Sequence, residues 1–244
     1  SDYYHRQAPE VLINNLLIDA HMLAAARQCG VTRYFYASSV HVYPKHLQDR
    51  PDARALKEED SIPADPPLSY GWAKVVGELG VQYACNQDQN FRAAIFRMMN
   101  PYGPHQNSDP ERGSVIPVLI RKALEYPKTP FGLRSNGEEV RSFCYISDVI
   151  DAMLLAIEKL ENHNLIGPLN IGSEQSVRII DLARQIVAVS GKSIKIDVTD
   201  LEGVVQGQAI DCSVARDLLD GWEPRTSLKD GLTETYKHVA ARLQ

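Results

Sequence analysis

Three residues of this 244-residue chain have the types and spacing needed to move a proton to or from a hydroxyl group. Tyr70 and Lys74 are four residues apart, which places both side chains on one face of a helix. A phenol ionises at about pH 10 by itself, but a neighbouring ammonium and the positive end of a helix dipole both favour the phenolate. Ser39 ends a segment typical of a buried strand, where a hydroxyl can hydrogen-bond a substrate oxygen. The same Tyr-x-x-x-Lys spacing also occurs in ordinary amphipathic helices, so its meaning depends on the surrounding sequence.

The surrounding elements predict an α/β fold. The aromatic and β-branched run at 33–43 predicts a buried strand that ends near Ser39, and 69–88 predicts the helix that carries Tyr70 and Lys74. A polar, proline-rich loop at 44–68 joins them, and loops of this length often border a site. Alternation of strands and helices continues along the chain and is typical of parallel sheets. We expect further helices at 11–29, 114–125, 149–161 (capped by Ser147 and Asp148), 177–191, 213–221 and 228–243, and strands at 91–100, 138–146, 168–173 and 193–198.

Composition argues against several other classes of protein. The net charge is −5 and there is no run of Lys or Arg, so we expect neither a nucleic-acid nor a membrane partner. The apolar stretches are too short to span a bilayer and the first ten residues are polar, which predicts a cytoplasmic protein. The cysteines are widely spaced and the histidines show no metal-ligand pattern, which predicts reduced thiols and no metal site. The four cysteines are Cys29, Cys85, Cys144 and Cys212.

Five sequence blocks give the Tyr-x-x-x-Lys pair its context: ASSVHVY (37–43), YGWAKVVGE (70–78), RMMNPYGP (97–104), NGEEVRSFCYISDV (136–149) and NIGSEQSV (170–177). In these blocks, and in their order, the chain resembles extended short-chain dehydrogenase/reductases of the NAD-dependent sugar-nucleotide epimerase/dehydratase family. The resemblance implies an NAD cofactor and a catalytic triad of Ser39, Tyr70 and Lys74. It also implies that Asn15 lies on the cofactor side and that Lys74 donates a hydrogen bond to the nicotinamide ribose.

The resemblance also implies a binding site for a nucleotide sugar. Asn100 and Arg141 match positions that the family uses for the nucleotide diphosphate, and a guanidinium offers phosphate a bidentate fork. Arg141 could instead form a surface salt bridge with one of the two preceding glutamates, 138 and 139. Gln208 and Gln206 stand where the family often has an arginine, so we expect weaker substrate binding or a different substrate.

The residues after Ser39 bear on the reaction. Enzymes of this family oxidise the sugar to a 4-keto intermediate, and its 4,6-dehydratases continue with Asp-Glu, where this chain has Val40 and His41. Dehydration is therefore disfavoured, and the chain resembles most the GDP-mannose 3,5-epimerase subfamily. In that subfamily, two residues move protons at the carbons beside the ketone. One is a cysteine two residues after the catalytic serine, and the other is a lysine whose position falls near Ser114 in this sequence. Histidine is a competent acid or base, so His41 either replaces that cysteine or merely packs at the strand end.

The family's glycine-rich cofactor turn does not occur in this sequence. In the family, that turn belongs to a first segment of strands and helices, and about 80–100 residues of that segment have no counterpart here. We therefore expect an incomplete Rossmann-like doubly wound parallel sheet with a small C-terminal α/β substrate lobe. Residues 1–105 and 138–172 are assigned to the NAD-binding domain, and 106–137 with 173–244 mainly to the substrate lobe. Two readings stay open: an NAD-dependent epimerase whose first half is supplied, or a truncated, inactive fragment that binds a sugar nucleotide or a protein. A homodimer is expected by analogy with the family; a 4-epimerase, 4-reductase or decarboxylase is also compatible.

Overall fold

The computed structural model describes residues 7–201 and 206–243 of the chain. The helices are α1 (Ala8–Gln28), α2 (Ser69–Gln87), α3 (Val115–Glu125), α4 (Ile146–Lys159), α5 (Ile179–Ser190), α6 (Ser213–Leu218) and α7 (Leu228–Leu243), with short 3-10 helices at Val40–Val42, Lys45–Leu47 and Glu58–Ser61. The strands are β1 (Arg33–Ser39), β2 (Arg92–Met98), β3 (Pro101–Tyr102), β4 (Val140–Ser142), β5 (Cys144–Tyr145), β6 (Leu165–Ile171), β7 (Ser176–Arg178) and β8 (Gly207–Gln208).

A parallel sheet in the order β1-β2-β6 has helices on both faces. Side chains of β2 alternate between them, because successive residues of a strand point to opposite sides. Ala93 and Ile95 pack in the cluster that includes α2, and Ala94 and Phe96 in the cluster that includes α4 and α6. This arrangement confirms the predicted doubly wound α/β fold. Ser39 pairs with Met98 in the register, so the carboxyl ends of β1 and β2 meet at one edge.

A second group of elements packs beyond that edge. The strands β7, β4 and β8 form a small mixed sheet, in which β4 pairs antiparallel with β7 and parallel with β8. Helices α3, α5 and α7 surround a separate apolar core. Its fully buried members include Ile120, Phe131, Leu182, Ile186 and Leu232. The residue boundaries assigned to the two lobes stay a prediction.

Two predicted strands are corrected by the structure. The segment 138–146 is divided between β4 and β5, which pair in different sheets, and Ile146 already begins α4. The segment 193–198 forms no strand and makes only an isolated bridge between Asp197 and Gly132. Its Ile194 and Ile196 nevertheless pack against the second core, which explains the alternating pattern. Strand β7 was not predicted.

The predicted cap of α4 is also wrong. The helix begins at Ile146 with Tyr145 as its N-cap residue, so Ser147 and Asp148 lie inside the first turn. The buried Asp148 carboxylate instead accepts hydrogen bonds from the backbone N–H groups of Arg225 and Thr226, at 3.2 and 3.1 Å. It therefore joins the start of α4 to the turn that precedes α7.

Candidate active site

The strand β1 and the helix α2 bring Ser39 and Tyr70 to the same place. The chain leaves β1 in the short helix Val40–Val42, and α2 begins directly against it. Gly71 makes this approach possible, because a Cβ there would lie 2.1 Å from the carbonyl oxygen of His41. Tyr70 is in the first turn of α2, and the Ser39 hydroxyl accepts a hydrogen bond from the His41 backbone N–H at 3.2 Å. Ser39 and Tyr70 both line one cavity of about 710 Å³.

His41 lies beside Tyr70 in that cavity. The two rings are edge-to-face, with centroids 5.9 Å apart. Among the described residues, the buried Nδ1 of His41 has no hydrogen-bond partner. Burial, and secondarily the charge of Arg141, lower the pKa of His41 to about 4. The imidazole is therefore neutral near pH 7, and it binds a proton less readily than a free histidine does.

Lys74 lies one turn along α2 and is largely buried. Its Nζ is 5.8 Å from the centre of the Tyr70 ring, which agrees with the predicted pairing of an ammonium with the phenol. The same Nζ lies 3.3 Å from the carboxylate of Asp19 on α1. Asp19 was not singled out in the sequence, because it is 55 residues away from Lys74.

A buried ion pair fixes α2 against the sheet behind the catalytic residues. The Glu78 carboxylate accepts hydrogen bonds from Arg97 Nε at 2.9 Å and Arg97 Nη2 at 2.7 Å. It also accepts one from the Ser38 hydroxyl at 2.5 Å, and both charged side chains are 5% exposed. Because Ser38, Glu78 and Arg97 belong to β1, α2 and β2, this pair sets where β1 ends relative to Tyr70.

The predicted substrate residues Arg141 and Gln208 are cross-strand partners on β4 and β8 and both line the cavity. Burial lowers the pKa of Arg141 to about 10, so its guanidinium stays charged at pH 7. It donates to the Val140 carbonyl at 2.7 Å. The Gln208 amide is held by a 2.7 Å hydrogen bond to the side chain of Gln48.

The two glutamates before Arg141 each have another partner. Glu138 pairs with Arg178 at 3.3 Å. Glu139 is buried in the cavity wall and accepts a 2.8 Å hydrogen bond from Ser135. Arg141 itself is half-buried; burial lowers its pKa, and the nearby charge of Glu139 opposes that shift.

Asn100 lines the same cavity at the end of β2. Its φ is +37°, a region that asparagine adopts more readily than most residues. Its amide donates a 3.0 Å hydrogen bond to the Ser142 carbonyl, which joins β2 to β4. Residues 202–205 of the segment that holds Gln206 and Gln208 lie outside the described residues.

Asn15, like Lys74, does not line the cavity. Its amide donates to the Val11 carbonyl of its own helix at 2.7 Å, and it lies one turn before Asp19 on α1. Its cofactor-side role stays a prediction. In the described part of the chain, no three His, Cys, Asp or Glu side chains are grouped to hold a metal ion.

Sequence reasoning missed the basic character of the far part of the cavity. Lys122 and Arg134 line it with Arg112, and the spacing of these three residues in the sequence gave no signal. Lys122 donates to the Gly132 carbonyl at 2.5 Å, and burial followed by the charge of Arg134 lowers its pKa. With Arg141, these cations outnumber the carboxylate of Glu139, so the cavity favours an anionic ligand.

The described residues fit one side of an NAD molecule. Tyr70 and Lys74 place a phenol and an ammonium side by side at a helix start, as contacts to a nicotinamide ribose require. A glycine-rich turn between a strand and a helix, which would bind the pyrophosphate, does not occur within 7–201 or 206–243.

The model of the NAD-dependent epimerase/dehydratase family matches residues 3–172. The chain belongs to that family. It is 31% identical to GDP-mannose 3,5-epimerase of Arabidopsis thaliana over 235 residues, which cover 96% of this chain and 60% of the relative. The chain thus spans about three fifths of the length of that relative.

Solved structures support the same family fold. UDP-glucose 4-epimerase of Thermotoga maritima, determined with UDP-glucose, has a TM-score of 0.83 at 24% identity, covering 99% of this chain and 75% of that one. UDP-glucuronic acid 4-epimerase of Bacillus cereus, determined with UDP-glucuronic acid and NAD, has a TM-score of 0.77 at 26% identity, covering 94% and 68%. Within the described residues, no helix combines the length and apolarity needed to cross a membrane.

Proposed function

We propose that this protein performs NAD-dependent epimerisation of a nucleotide-activated sugar through a 4-keto intermediate. The observation that carries the proposal is the meeting of Ser39, His41 and Tyr70 in the wall of a cavity that also contains the Arg141 guanidinium. The phenol and the two neighbouring groups serve proton transfer at a sugar, and the guanidinium serves its diphosphate.

The chain's own residues would carry the proton steps. Tyr70 takes the proton of the sugar 4-hydroxyl while Ser39 hydrogen-bonds the same oxygen. Lys74 favours the phenolate of Tyr70 by its charge. NAD⁺, when bound, would supply the hydride acceptor for this oxidation and the hydride donor for the closing reduction.

His41 is proposed to move the proton at a carbon next to the ketone. It is neutral at pH 7 because its pKa is lowered to about 4, and its ring lies against that of Tyr70. His41→Ala should abolish solvent deuterium uptake into the sugar, whereas His46→Ala, an exposed histidine five residues later, should leave uptake unchanged. Undiminished uptake in His41→Ala would assign His41 a packing role only.

A 4-epimerase is the second candidate, and Ser114 favours it. In the resembled 3,5-epimerases the second acid/base is a lysine, and here Ser114 lines the cavity at that place with its hydroxyl 3.1 Å from Gln106 Nε2. Serine is a poor proton donor to a carbanion, so this position does not offer the acid/base that the lysine provides in those enzymes. Inversion at C4 needs no acid or base at the carbons beside the ketone. Proton NMR of the product distinguishes them, because a 4-epimerase takes up no solvent deuterium.

The nucleotide of the substrate is the part of the proposal that binding can decide. Arg141, Asn100 and Gln208 are proposed to hold the diphosphate. Isothermal titration with GDP-, UDP- and dTDP-sugars should give the tightest binding with a GDP-sugar, as the subfamily resemblance implies. Equal affinity for all three would remove the basis for choosing GDP. Binding of sugar nucleotides by a species of about 27.2 kDa that binds no NAD would favour the inactive-fragment reading.

We also infer that two copies associate through α1 and α2. An exposed apolar stripe follows α2 at helical spacing, and α1 adds further exposed apolar side chains beside it. The stripe is Trp72, Val76, Leu79 and Tyr83, with Ile13, Leu17 and Met22 on α1. Helices packed on a sheet through one face can pair with the same helices of a second copy about a twofold axis. Val76→Glu should yield a monomer by sedimentation, whereas Val198→Glu, equally exposed elsewhere, should not; an unsubstituted monomer would refute this.

A further inference from the structure

Three elements converge on the ammonium of Lys74. The carboxylate oxygens of Asp19 on α1 lie 3.3 and 3.4 Å from Lys74 Nζ. The hydroxyl of Tyr36 on β1 donates a 2.6 Å hydrogen bond to Asp19 Oδ2. The same Nζ lies 4.9 Å from the centre of the Tyr36 ring. The hydrogen bond from Tyr36 thus fixes the position of the Asp19 carboxylate, and Lys74 forms an ion pair with it.

This arrangement is built into the packing of the helices on the sheet. The Lys74 and Asp19 side chains are 10% and 14% exposed, so the pair is shielded from water. Gly77 on α2 is required, because a Cβ there would lie 1.9 Å from the Tyr36 hydroxyl. Removing a charge pair from water has a desolvation cost that good geometry only partly offsets, so the pair adds little stability. A role at the neighbouring phenol accounts for it better.

We propose that Asp19, held by Tyr36, is a positioning residue for Lys74 that sets how strongly the Lys74 charge acts on the Tyr70 phenol. The inference rests on the proposed function, because it concerns the proton that Tyr70 removes. An ammonium alone favours the phenolate, and a carboxylate 3.3 Å from that ammonium cancels part of its field. Asp19 therefore holds the lysine in place while keeping Tyr70 protonated to a higher pH than Lys74 alone would.

The other ionisable groups that face this cluster change little near neutral pH. His41 faces Tyr70 from the short helix after β1 and is neutral there, its pKa being about 4. Burial and the Asp19 hydrogen bond raise the pKa of Tyr36, which also feels Glu78, and burial and Asp19 raise that of Tyr34. Glu78 is paired with Arg97. Arg141, whose charge also lowers the pKa of His41, stays charged at neutral pH, so the Lys74–Asp19 pair is the charge arrangement that the variants below change.

The test is the titration of Tyr70 in the protein without cofactor or substrate. Ultraviolet difference spectra between each variant and the same variant carrying Tyr70→Phe isolate this phenol from the other tyrosines. Asp19→Asn should raise the acid ionisation constant of Tyr70 about tenfold, because the ammonium then acts unopposed. Glu10→Gln, which removes an equal charge from the exposed first turn of α1, should leave it unchanged. An unchanged titration in Asp19→Asn overturns the proposal.

If Asp19→Asn does not fold because Lys74 loses its partner, variants at Lys74 provide a second test. Lys74→Met alone leaves the Asp19 charge unopposed and should shift the titration of Tyr70 to higher pH. Lys74→Met with Asp19→Asn removes both charges and should return it towards the unsubstituted value. Equal titrations of this single and double variant would overturn the proposal.

Turnover separates this inference from the proposed function. In the holoenzyme, Asp19→Asn should move the acidic limb of the pH–rate profile to lower pH by the same factor, a change that a purely structural role does not produce. A shifted titration together with an active Tyr70→Phe enzyme refutes the proposed function and leaves the charge coupling in place. An unshifted titration with an inactive Tyr70→Phe enzyme refutes the role of Asp19 alone.

Discussion

At the scale of single residues, short motifs predicted one half of the cavity well. Ser39, Tyr70, Asn100 and Arg141 each belong to a local block whose residue types have a direct chemical meaning, and all four line the cavity. Asp19, Lys122 and Arg134 could not be predicted, because their contacts join distant parts of the chain. Their side chains gain meaning only when the fold places them together.

The substrate role of Arg141 gives the first prediction. A charged hydrogen bond to phosphate contributes about 1.5–3 kcal/mol, so Arg141→Ala should raise KM for the nucleotide sugar about 10- to 100-fold. The change in kcat should be small, since the guanidinium is proposed to contact the diphosphate and not the reacting carbon. Steady-state kinetics measure both. Arg178→Ala, which removes a surface arginine paired with Glu138, is the control and should change neither.

His41 makes stability depend on pH. Its pKa is about 4 in the folded chain and about 6.5 when unfolded, so the unfolded state binds the proton more tightly. Stability from this residue is complete above pH 6.5 and falls as the pH falls from about 6.5 to about 4, by at most about 3 kcal/mol. Urea unfolding at several pH values should show a shallower acid decline in His41→Gln. The same slope in His41→Gln and the unsubstituted protein would contradict the burial of a neutral imidazole.

At the scale of elements, the periodicity of apolar residues predicted which side chains are buried better than it predicted which strands pair. The alternation in 193–198 reflects two isoleucines that do pack inward, but the backbone has one bridge and no ladder. The run 138–146 was read as one strand because its apolar residues are continuous, and it serves two sheets instead. The long helices α1 and α2 were predicted to within a few residues, since each runs for about five turns with no proline after its first turn.

The Arg97–Glu78 pair tests how α2 is held to the sheet. Arg97→Ala leaves the Glu78 carboxylate buried without its charged partner, which should lower the free energy of unfolding by about 3–5 kcal/mol. Arg33→Ala removes an arginine of the neighbouring strand whose pair with Glu161 is exposed, and should cost at most about 1 kcal/mol. Chemical denaturation measures both. Similar losses in the two variants would contradict the anchoring role of the buried pair.

At the scale of the whole molecule, the cavity lies where the parallel sheet meets the second core. Ser39, His41 and Tyr70 come from the sheet side, and Lys122, Leu133 and Ile179 from elements of the second core. The family and its α/β fold follow from five blocks spread over the chain, and both are confirmed. The position of the second lobe was not predictable, because it depends on packing between residues far apart in sequence.

The most direct test of the central claim is turnover of a nucleotide sugar by Tyr70→Phe in the protein loaded with NAD⁺. The substitution removes only the phenolic oxygen, so the fold and the binding of the sugar nucleotide should be preserved. We predict a loss of kcat of at least about 100-fold, with near-normal substrate affinity by calorimetry. Turnover within a few-fold of the unsubstituted enzyme would show that Tyr70 is not the proton acceptor.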